Sequence, residues 1–497
     1  MKSAKTALLS TGIDGLDTIL NGGLTPHRLY LVEGSPGSGK TTLALQFLRA
    51  GAALGESVLY ISLSETEEEL HSIASSHGWD LDGISVRELI PSEDSLKPDE
   101  QYTMFHPSEV ELADTTRAIL LDAENLKPSR VVFDSLAELR LLAGNPLRYR
   151  RQILALKQFF LSRQCTVLML DDRAPLEIDI QLQTLSHGVI TLEQTRPGYG
   201  AERRRLNVLK YRGMHFRGGF HDFIIARGGL QVFPRLIAAQ FRSPTSRHIL
   251  SSGVAELDVL LGGGIECGTS TLIAGAAGSG KSTLAAQFAA NTIASGKRAA
   301  MFIFDESVDT LLSRADGLGI KLRHAIESGG LLIQPVDPAE MTPGQFAHAV
   351  ADAVHEHKAA LVIIDSLNGY LQAMPEEHFL TAQLHELLAY LGHQGAATIL
   401  VGVQQGLIGS AMQTPVDATY LADGVILMRY FEARGEVRQA ISIMKRRGGA
   451  HERTIREFRL GGKGISVGPP LREFRGVLTG VPVYEGQSEP LFKASSA

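Results

Sequence analysis

Two stretches of the chain combine glycines, a lysine and a hydroxyl residue at one fixed spacing. They read GSPGSGKT at residues 34–41 and GAAGSGKS at residues 275–282, and both fit the pattern G-x-x-x-x-G-K-[ST]. Successive backbone N–H groups in such a loop can surround a phosphate, the lysine adds a positive charge, and the hydroxyl can ligate Mg²⁺. These residue types at this spacing predict a binding site for a nucleoside triphosphate and Mg²⁺.

The sequence around each stretch supplies the elements that this chemistry needs. An apolar run, LYLV before the first stretch and TLIA before the second, predicts a buried strand. Apolar residues at helical spacing follow, so each loop opens a helix whose positive N-terminus points at the phosphates. A glycine-rich structural turn is the alternative, and its occurrence twice in the same context argues against it. The expected nucleotide contacts are Ser35, Gly37, Ser38, Gly39, Lys40, Thr41 and Thr42, and Ala276, Gly278, Ser279, Gly280, Lys281, Ser282 and Thr283.

Two further apolar runs, RVVFD and LVIID, end in an aspartate. Asp134 follows Lys40 by 94 residues, and Asp365 follows Lys281 by 84 residues. A carboxylate at the end of a strand beside a phosphate loop holds Mg²⁺ directly or through water. An ordinary strand end is the alternative for both aspartates. The predicted Mg²⁺ ligands are Thr41 and Asp134 in the first half of the chain, and Ser282 and Asp365 in the second.

An internal repeat organises the chain. STGIDGLD at residues 10–17 returns as SSGVAELD at residues 251–258, and Lys281 follows Lys40 by 241 residues. Each copy alternates predicted helices with continuously apolar strands, which indicates a mostly parallel sheet covered by helices, an α/β fold. The expected boundaries are 1–237 for the first domain, 238–247 for a linker, 248–471 for the second domain and 472–497 for a flexible C-terminal tail.

Composition limits the function more than the fold. The chain has 497 residues, a formal net charge of −6 and a pI near 6.3. An acidic chain has no global basic field, so the basic run at residues 203–205 is interpreted as a solvated or inter-subunit face, and nucleic acid is not an expected partner. The sequence shows neither a signal-peptide pattern nor an 18-residue uncharged apolar run. These features predict a cytoplasmic protein without a membrane partner.

With these motifs the sequence resembles the RecA-like ATPases and, among them, the KaiC family. The most specific segments are SLSETEEEL after the second predicted strand, the segments KYRG at 210–213 and KRRG at 445–448, and the paired openings STGIDGLD and SSGVAELD. The resemblance covers nearly the whole chain in two copies. It implies two tandem RecA-like P-loop NTPase domains in a homohexamer that binds ATP between subunits and hydrolyses it, with regulatory protein partners.

The resemblance also implies roles for individual residues. The family places two adjacent glutamates after the second strand, where they polarise water or a hydroxyl. The first copy has Ser64-Glu65, so the role of general base falls on Glu65, whereas the second copy has Asp305-Glu306. Without the family, the later cations would be interpreted as a solvated strand edge. By resemblance, the residues that contact the γ-phosphate of a neighbouring subunit are Lys210, Arg212, Lys445 and Arg447.

A phosphoacceptor is implied in the second domain. The family carries an adjacent Ser-Thr pair there, and alignment on the run DGVIL puts Thr419-Tyr420 at the same place. Autophosphorylation at Thr419 is therefore implied as an additional activity. Because Asp305 is shorter than the glutamate that it replaces, hydrolysis is expected ahead of transfer to a protein hydroxyl.

The sequence thus predicts a KaiC-like ATPase with Mg²⁺, with serine/threonine autokinase activity in the second domain and a regulatory or signalling role. The alternative is a RecA-type recombinase or helicase, a DNA-dependent ATPase, which needs basic or aromatic loops facing a central channel. A nucleotide-binding scaffold with little turnover is a third hypothesis, favoured if Glu65 and Glu306 prove dispensable.

Overall fold

The computed structural model describes residues 7–89, 107–172, 182–241, 248–372, 379–404, 420–462, 464–479 and 483–484. The chain divides into two compact units, Met1–Arg235 and Leu236–Ala497. The division lies just before the linker expected from the sequence. Residues Ala238–Phe241 form a 3-10 turn that packs within the second unit, where the ring of Phe241 meets that of Tyr390 edge-on with centroids 5.0 Å apart.

Helices and strands alternate along the first unit. Its described elements are α1 (Asp14–Ile19), β1 (Leu29–Gly34), α2 (Lys40–Ala52), β2 (Val58–Ser62), α3 (Glu67–Ser76), β3 (Ile84–Glu88), α4 (Pro107–Leu126), β4 (Arg130–Asp134), α5 (Leu136–Ala143), α6 (Pro146–Ser162), β5 (Thr166–Asp172), β6 (Gly188–Thr195), β7 (Arg203–Tyr211), β8 (Phe220–Ala226) and β9 (Gly229–Phe233).

These strands form one nine-stranded sheet in the order β3-β2-β4-β5-β1-β6-β7-β8-β9. The strands from β3 to β6 are parallel, and β7, β8 and β9 extend the sheet antiparallel. Strands β1, β2 and β4 are buried along their whole length, because helices cover both faces. Successive side chains therefore enter two hydrophobic clusters, with Leu29 and Leu31 in one and Tyr30 and Val32 in the other.

The second unit repeats this order of elements. Its described elements are β10 (Ile249–Leu250), α7 (Ala255–Leu260), β11 (Ile265–Glu266), β12 (Ser270–Gly275), α8 (Lys281–Ala294), β13 (Arg298–Ile303), α9 (Val308–Gly317), α10 (Leu322–Glu327), β14 (Leu331–Pro335), α11 (Pro343–His355), β15 (Ala359–Asp365), α12 (Leu367–Gln372), α13 (Leu380–His393), β16 (Ala397–Val403), β17 (Gly424–Ala433), β18 (Glu436–Arg446), β19 (Arg456–Gly461), β20 (Gly464–Pro470), β21 (Phe474–Arg475) and β22 (Val483–Tyr484).

The second nine-stranded sheet has the order β14-β13-β15-β16-β12-β17-β18-β19-β20. As in the first unit, the strand that leads to the phosphate loop, β12, lies between two parallel neighbours, and three antiparallel strands complete the sheet. The predicted fold class is confirmed, since each unit is a mostly parallel sheet flanked by helices. Parallel strands end at one edge, so this edge gathers the residues of the predicted site.

Candidate active site

The first phosphate loop joins β1 to α2, which begins at Lys40. Gly39 precedes the helix with φ of 100°, a left-handed conformation that glycine adopts without strain. The Nζ atom of Lys40 donates to the carbonyl oxygens of Gly34 at 2.9 Å and Ser35 at 3.1 Å, and it forms an ion pair with Asp172 Oδ1 at 2.8 Å. The lysine charge therefore lies at the loop, and Asp172, at the end of β5, is a site residue that sequence reasoning missed.

The two predicted Mg²⁺ ligands of the first unit meet directly. Thr41 Oγ1 donates to Asp134 Oδ2 at 3.0 Å, and the hydroxyl of Tyr60 donates to the same oxygen. Burial raises the pKa of Asp134, while the hydrogen bonds from Tyr60 and Thr41 act in the opposite direction. A hydroxyl and a carboxylate are hard oxygen donors of the kind that Mg²⁺ prefers, so the pair fits this ion.

Glu65 lies close to this pair. Its backbone N–H donates to Ser62 Oγ at 3.0 Å. The next residue, Thr66, opens α3 with a capping box, in which the side chains of Thr66 and Glu69 each accept a hydrogen bond from the other's backbone N–H. Its Oε2 atom is buried and has no hydrogen-bond partner within the described part of the chain. Burial and then the nearby Asp134 raise the pKa of Glu65 to about 7. A carboxyl group with such a pKa can accept a proton at neutral pH.

The second unit places the same residue types at the same strand ends. Lys281 Nζ donates to Ala276 O at 2.7 Å, and burial lowers the pKa of this lysine. Burial, together with the nearby charges of Glu306 and Asp305, raises the pKa of Asp365 to about 6. A hydrogen bond from Ser282 acts in the opposite direction. Among the described residues, Asp365 Oδ2 is buried without a hydrogen-bond partner, which suits an atom that awaits a ligand.

The remaining predicted contacts line the loops or lie directly behind them. The hydroxyls of Ser38 and Ser279 are buried without hydrogen-bond partners in the described residues, and Thr42 Oγ1 lies 3.3 Å from His77 Nε2. The second loop faces a cleft of about 470 Å³. This cleft is lined by Gly278, Gly280, Lys281, Ser282, Thr283, Arg314, Gly317, Leu318 and Leu460.

The two carboxylates predicted as catalytic in the second unit are both engaged. Asp305 Oδ2 accepts a hydrogen bond from the hydroxyl of Ser366. Glu306 accepts two hydrogen bonds from the guanidinium group of Arg314, with Nη1–Oε2 and Nη2–Oε1 distances of 2.5 and 2.7 Å. Arg314 was not identified from the sequence, because a single arginine two helical turns beyond Glu306 carries no recognisable pattern.

The predicted γ-phosphate cations lie away from the phosphate loop of their own unit. Along the sheet, Tyr30 on β1 pairs with Gly188 on β6, which pairs with Tyr211 on β7. The cations Lys210 and Arg212 flank Tyr211 and donate to the carbonyl oxygens of residues 183 and 184 at 2.5 and 2.7 Å. The phosphate loop begins at Gly34, four residues beyond Tyr30. At about 3.3 Å per residue, the loop therefore starts about 13 Å further along the sheet than Tyr211.

In the second unit the predicted cations are equally far from the start of their own phosphate loop, but the residue beside them differs. Lys445 Nζ donates to Ala422 O at 2.7 Å, and Arg447 Nη1 lies 3.1 Å from Asp423 Oδ1. The position of Asp423 is occupied by His187 in the first unit. Burial and then the cations Arg28, Arg212, Lys157 and Lys210 lower the pKa of His187 to about 4, so this histidine is neutral at pH 7.

The sequence also bears on the phosphoacceptor, possible metal clusters and membrane-spanning helices. The phosphoacceptor predicted at Thr419 lies outside the described residues. The part of the chain that the structure describes contains no group of three or more histidine, cysteine, aspartate or glutamate side chains arranged to hold a metal ion. Among the described helices, none combines the length and the apolar character needed to cross a bilayer.

Two tandem α/β units, each with a phosphate loop beside an aspartate-ended strand, define a tandem RecA-like P-loop ATPase. The family model described as "ATPase: KaiC" matches residues 9–237 and 250–472. The chain therefore belongs to the KaiC ATPase family, as the sequence resemblance indicated.

Curated relatives match over nearly the full length of the chain. The Synechocystis sp. protein named "Circadian clock protein KaiC3" is 28% identical over 97% of this chain and 95% of its own length. The Synechococcus elongatus protein named "Circadian clock oscillator protein KaiC" is 28% identical over 96% of this chain and 92% of its own length.

Proposed function

We propose that this chain hydrolyses ATP with Mg²⁺ at sites completed by a neighbouring copy, in a cytoplasmic homohexamer with a regulatory or signalling role. The observation that carries the proposal is the meeting of Thr41, Asp134 and Glu65 at one edge of the first sheet, where Glu65 Oε2 has no hydrogen-bond partner among the described residues. The regulatory role is supported by the relatives, which are named as circadian clock proteins.

Binding of ATP would depend on an exchange of partners at Lys40. The side chain of Asp172 is 43% exposed, whereas that of Lys40 is 9% exposed. The carboxylate can therefore turn toward solvent while the ammonium group stays in the loop. The triphosphate offers several negative oxygens in place of one carboxylate, so Lys40 would transfer its hydrogen bonds from Asp172 to the β- and γ-phosphates.

The chemical step would use the residues at the strand ends. Thr41 and Asp134 would hold Mg²⁺, which when bound neutralises charge on the β- and γ-phosphates. Protein sites usually supply one or two ligands to this ion, so the pair is sufficient without a larger acidic cluster. Glu65 would accept the proton of the attacking water, because its Oε2 atom has no partner in the described part of the chain and its pKa lies near neutrality.

The strand register supports a site shared between two copies of the chain. Lys210 and Arg212 lie about 13 Å back along the sheet from the start of their own loop, and the same holds for Lys445 and Arg447. A cation contributes to phosphoryl transfer by stabilising the charge that spreads over the transferred oxygens, which requires contact. These cations would therefore serve the phosphate of a neighbour.

A mixing experiment tests this assignment. One chain carries Lys40→Ala and Lys281→Ala, the other carries Arg212→Ala and Arg447→Ala, and each is nearly inactive alone. If the cations act on a neighbour, mixed assemblies contain some interfaces with both parts intact, and ATPase activity returns in part. No recovery, with subunit exchange demonstrated, would refute the shared site. Light scattering with and without ATP measures whether the assembly is a hexamer.

The DNA-dependent alternative is weakened by the environment of the basic run at residues 203–205. Arg204 pairs with Glu202 at 2.6 Å, and Arg205 lies 3.4 Å from Asp222. Arginines that are already paired with carboxylates are poorly suited to binding nucleic-acid phosphates. ATPase assays with and without single-stranded DNA test this alternative directly, since a DNA motor would be stimulated.

Autophosphorylation of Thr419 is a second candidate activity, based on the family resemblance and on Asp305 beside the second loop. Asp305 and Glu306 follow the end of β13, and the Asp305 carboxylate accepts a hydrogen bond from the Ser366 hydroxyl. Incubation with ATP and Mg²⁺ followed by mass spectrometry should find phosphate on Thr419 or Tyr420. Absence of phosphate from residues 410–422 would leave hydrolysis as the sole activity.

A further inference from the structure

An arginine in the second unit engages both oxygens of a predicted catalytic carboxylate. Arg314 lies in the last turn of α9, and its guanidinium group returns toward the start of the helix, where it meets Glu306. The two N–O distances of 2.5 and 2.7 Å describe a bidentate pair. The pair is partly shielded from water, with 35% of the Arg314 side chain and 19% of the Glu306 side chain exposed. Bidentate charge-assisted pairs of this kind are among the strongest side-chain hydrogen bonds.

The first unit has no arginine at the corresponding position. Helices α3 and α9 begin two residues after Glu65 and Glu306, so Ile73 occupies the place of Arg314. Ile73 is half-buried and packs against a hydrophobic cluster of its unit. Glu65 accordingly keeps an unpaired oxygen within the described residues, while Glu306 has both oxygens occupied.

This difference bears on proton acceptance. A carboxylate acts as a general base through a free lone pair within hydrogen-bond reach of the water or hydroxyl that it deprotonates. Each oxygen of Glu306 accepts one N–H group of the guanidinium, so one lone pair of each oxygen is engaged by Arg314. While the pair persists, Glu306 is a poor acceptor for the proton of an attacking group.

Arg314 also lies on the wall of the nucleotide cleft. It lines the same cleft as Lys281, Ser282 and Thr283, which belong to the phosphate loop and the first turn of α8. The Arg314–Glu306 pair is therefore part of the surface that the bound nucleotide would face, not a remote surface ion pair.

We propose that Arg314 is a positioning residue that keeps Glu306 from acting as a base. The second unit then hydrolyses ATP more slowly than the first as long as the Arg314–Glu306 ion pair is formed. The inference rests on the proposed ATPase function and assigns different rates to the two sites. No covalent step is added, because Arg314 acts through Glu306 alone.

The test isolates the second unit in the full-length chain with Lys40→Ala. In that background, Arg314→Gln should raise the kcat for ATP hydrolysis about tenfold, a modest part of what a general base contributes. The KM for ATP should change less than threefold, because Glu306 acts in the transition state. Arg314→Lys, which keeps the charge but loses the bidentate geometry, should give an intermediate kcat.

A double variant separates this effect from a general loosening of the fold. If the gain comes from a released Glu306, then Glu306→Gln added to Arg314→Gln should return kcat to the starting level or below. A gain that survives Glu306→Gln would overturn the inference. A kcat that falls or stays unchanged in Arg314→Gln, with the variant folded by circular dichroism, would overturn it as well.

The converse substitution tests the same idea in the first unit. With the second unit silenced by Lys281→Ala, Ile73→Arg should lower the kcat of the first site, and Ile73→Met serves as the size-matched apolar control. If Lys40→Ala/Lys281→Ala retains full turnover, the proposed ATPase sites themselves are wrong. If that control is inactive and the Arg314 variants show no gain, the ATPase proposal stands and this inference alone fails.

Discussion

The pH dependence of the first site provides a direct test of Glu65 as the general base. One oxygen of Glu65 is buried without a partner among the residues that the structure describes, and burial together with Asp134 raises the pKa of this carboxyl to about 7. A base must be ionised to accept a proton. Activity should therefore rise with pH through the region near 7 and level off above it, whereas a carboxylate of ordinary pKa would give a flat profile there.

The expected size of the effect follows from the titration. With a pKa of about 7, the ionised fraction of Glu65 is roughly one eleventh at pH 6 and roughly ten elevenths at pH 8, a ratio of about tenfold. The relevant kinetic constant is kcat/KM, because its pH profile reports groups of the free enzyme. The free enzyme is also the state in which Glu65 has the surroundings described here.

The assay uses a chain with Lys281→Ala, so that turnover comes from the first unit, and measures phosphate release between pH 5.5 and 8.5. Glu65→Gln in the same background should lose about a factor of 10²–10⁴ in rate and with it the pH dependence. The reasoning is refuted by a profile that is flat between pH 6 and 8, or by a Glu65→Gln variant that keeps both the rate and the slope.

Three further outcomes are expected from the contacts in the structure. Lys40→Ala and Lys281→Ala should each remove the ATPase activity of one unit, and the double variant should be inactive by phosphate release. Asp172→Asn should tighten ATP binding to the first unit up to about fivefold by fluorescent-nucleotide titration, because an exposed ion pair contributes about 1 kcal/mol or less and its loss frees the lysine. Glu56→Gln should lower the free energy of unfolding by about 3 kcal/mol in urea titrations, because Arg130 is fully buried and pairs with Glu56 at 2.6 Å.

Local sequence patterns predicted those parts of the site that lie within single segments. The strand-to-helix loops before Lys40 and Lys281 and the aspartate-ended strands are each set by a few neighbouring residues, and they occur at the predicted places. The fold class followed for the same reason, because continuously apolar strands alternating with helices leave few other architectures.

The partners of these residues depended on strand order and could not be read from the sequence. Asp172 reaches Lys40 because β5 happens to lie beside β1, although 132 residues separate the two in sequence. Arg314 meets Glu306 because its side chain extends back along the helix that begins two residues after Glu306. The first unit has Ile73 at the corresponding position, so the duplicated fold forms without this ion pair. Likewise, the distance between Arg212 and its own loop follows from the strand register, and the sequence indicated it only through the family resemblance, which assigned this cation to a neighbouring subunit.

Under the proposed function, the ion pairs of Lys40 and Glu306 would restrain the two units at different stages of the same reaction. In the first unit the contact falls on Lys40, which would bind the phosphates in the ground state and the transition state alike, so Asp172 should act mainly on affinity. In the second unit the contact falls on Glu306, which would act only when a proton moves, so Arg314 should act mainly on kcat. Since each restraint is absent from the corresponding position of the other unit, where Val403 replaces Asp172 and Ile73 replaces Arg314, the two sites should respond to different substitutions in different kinetic constants.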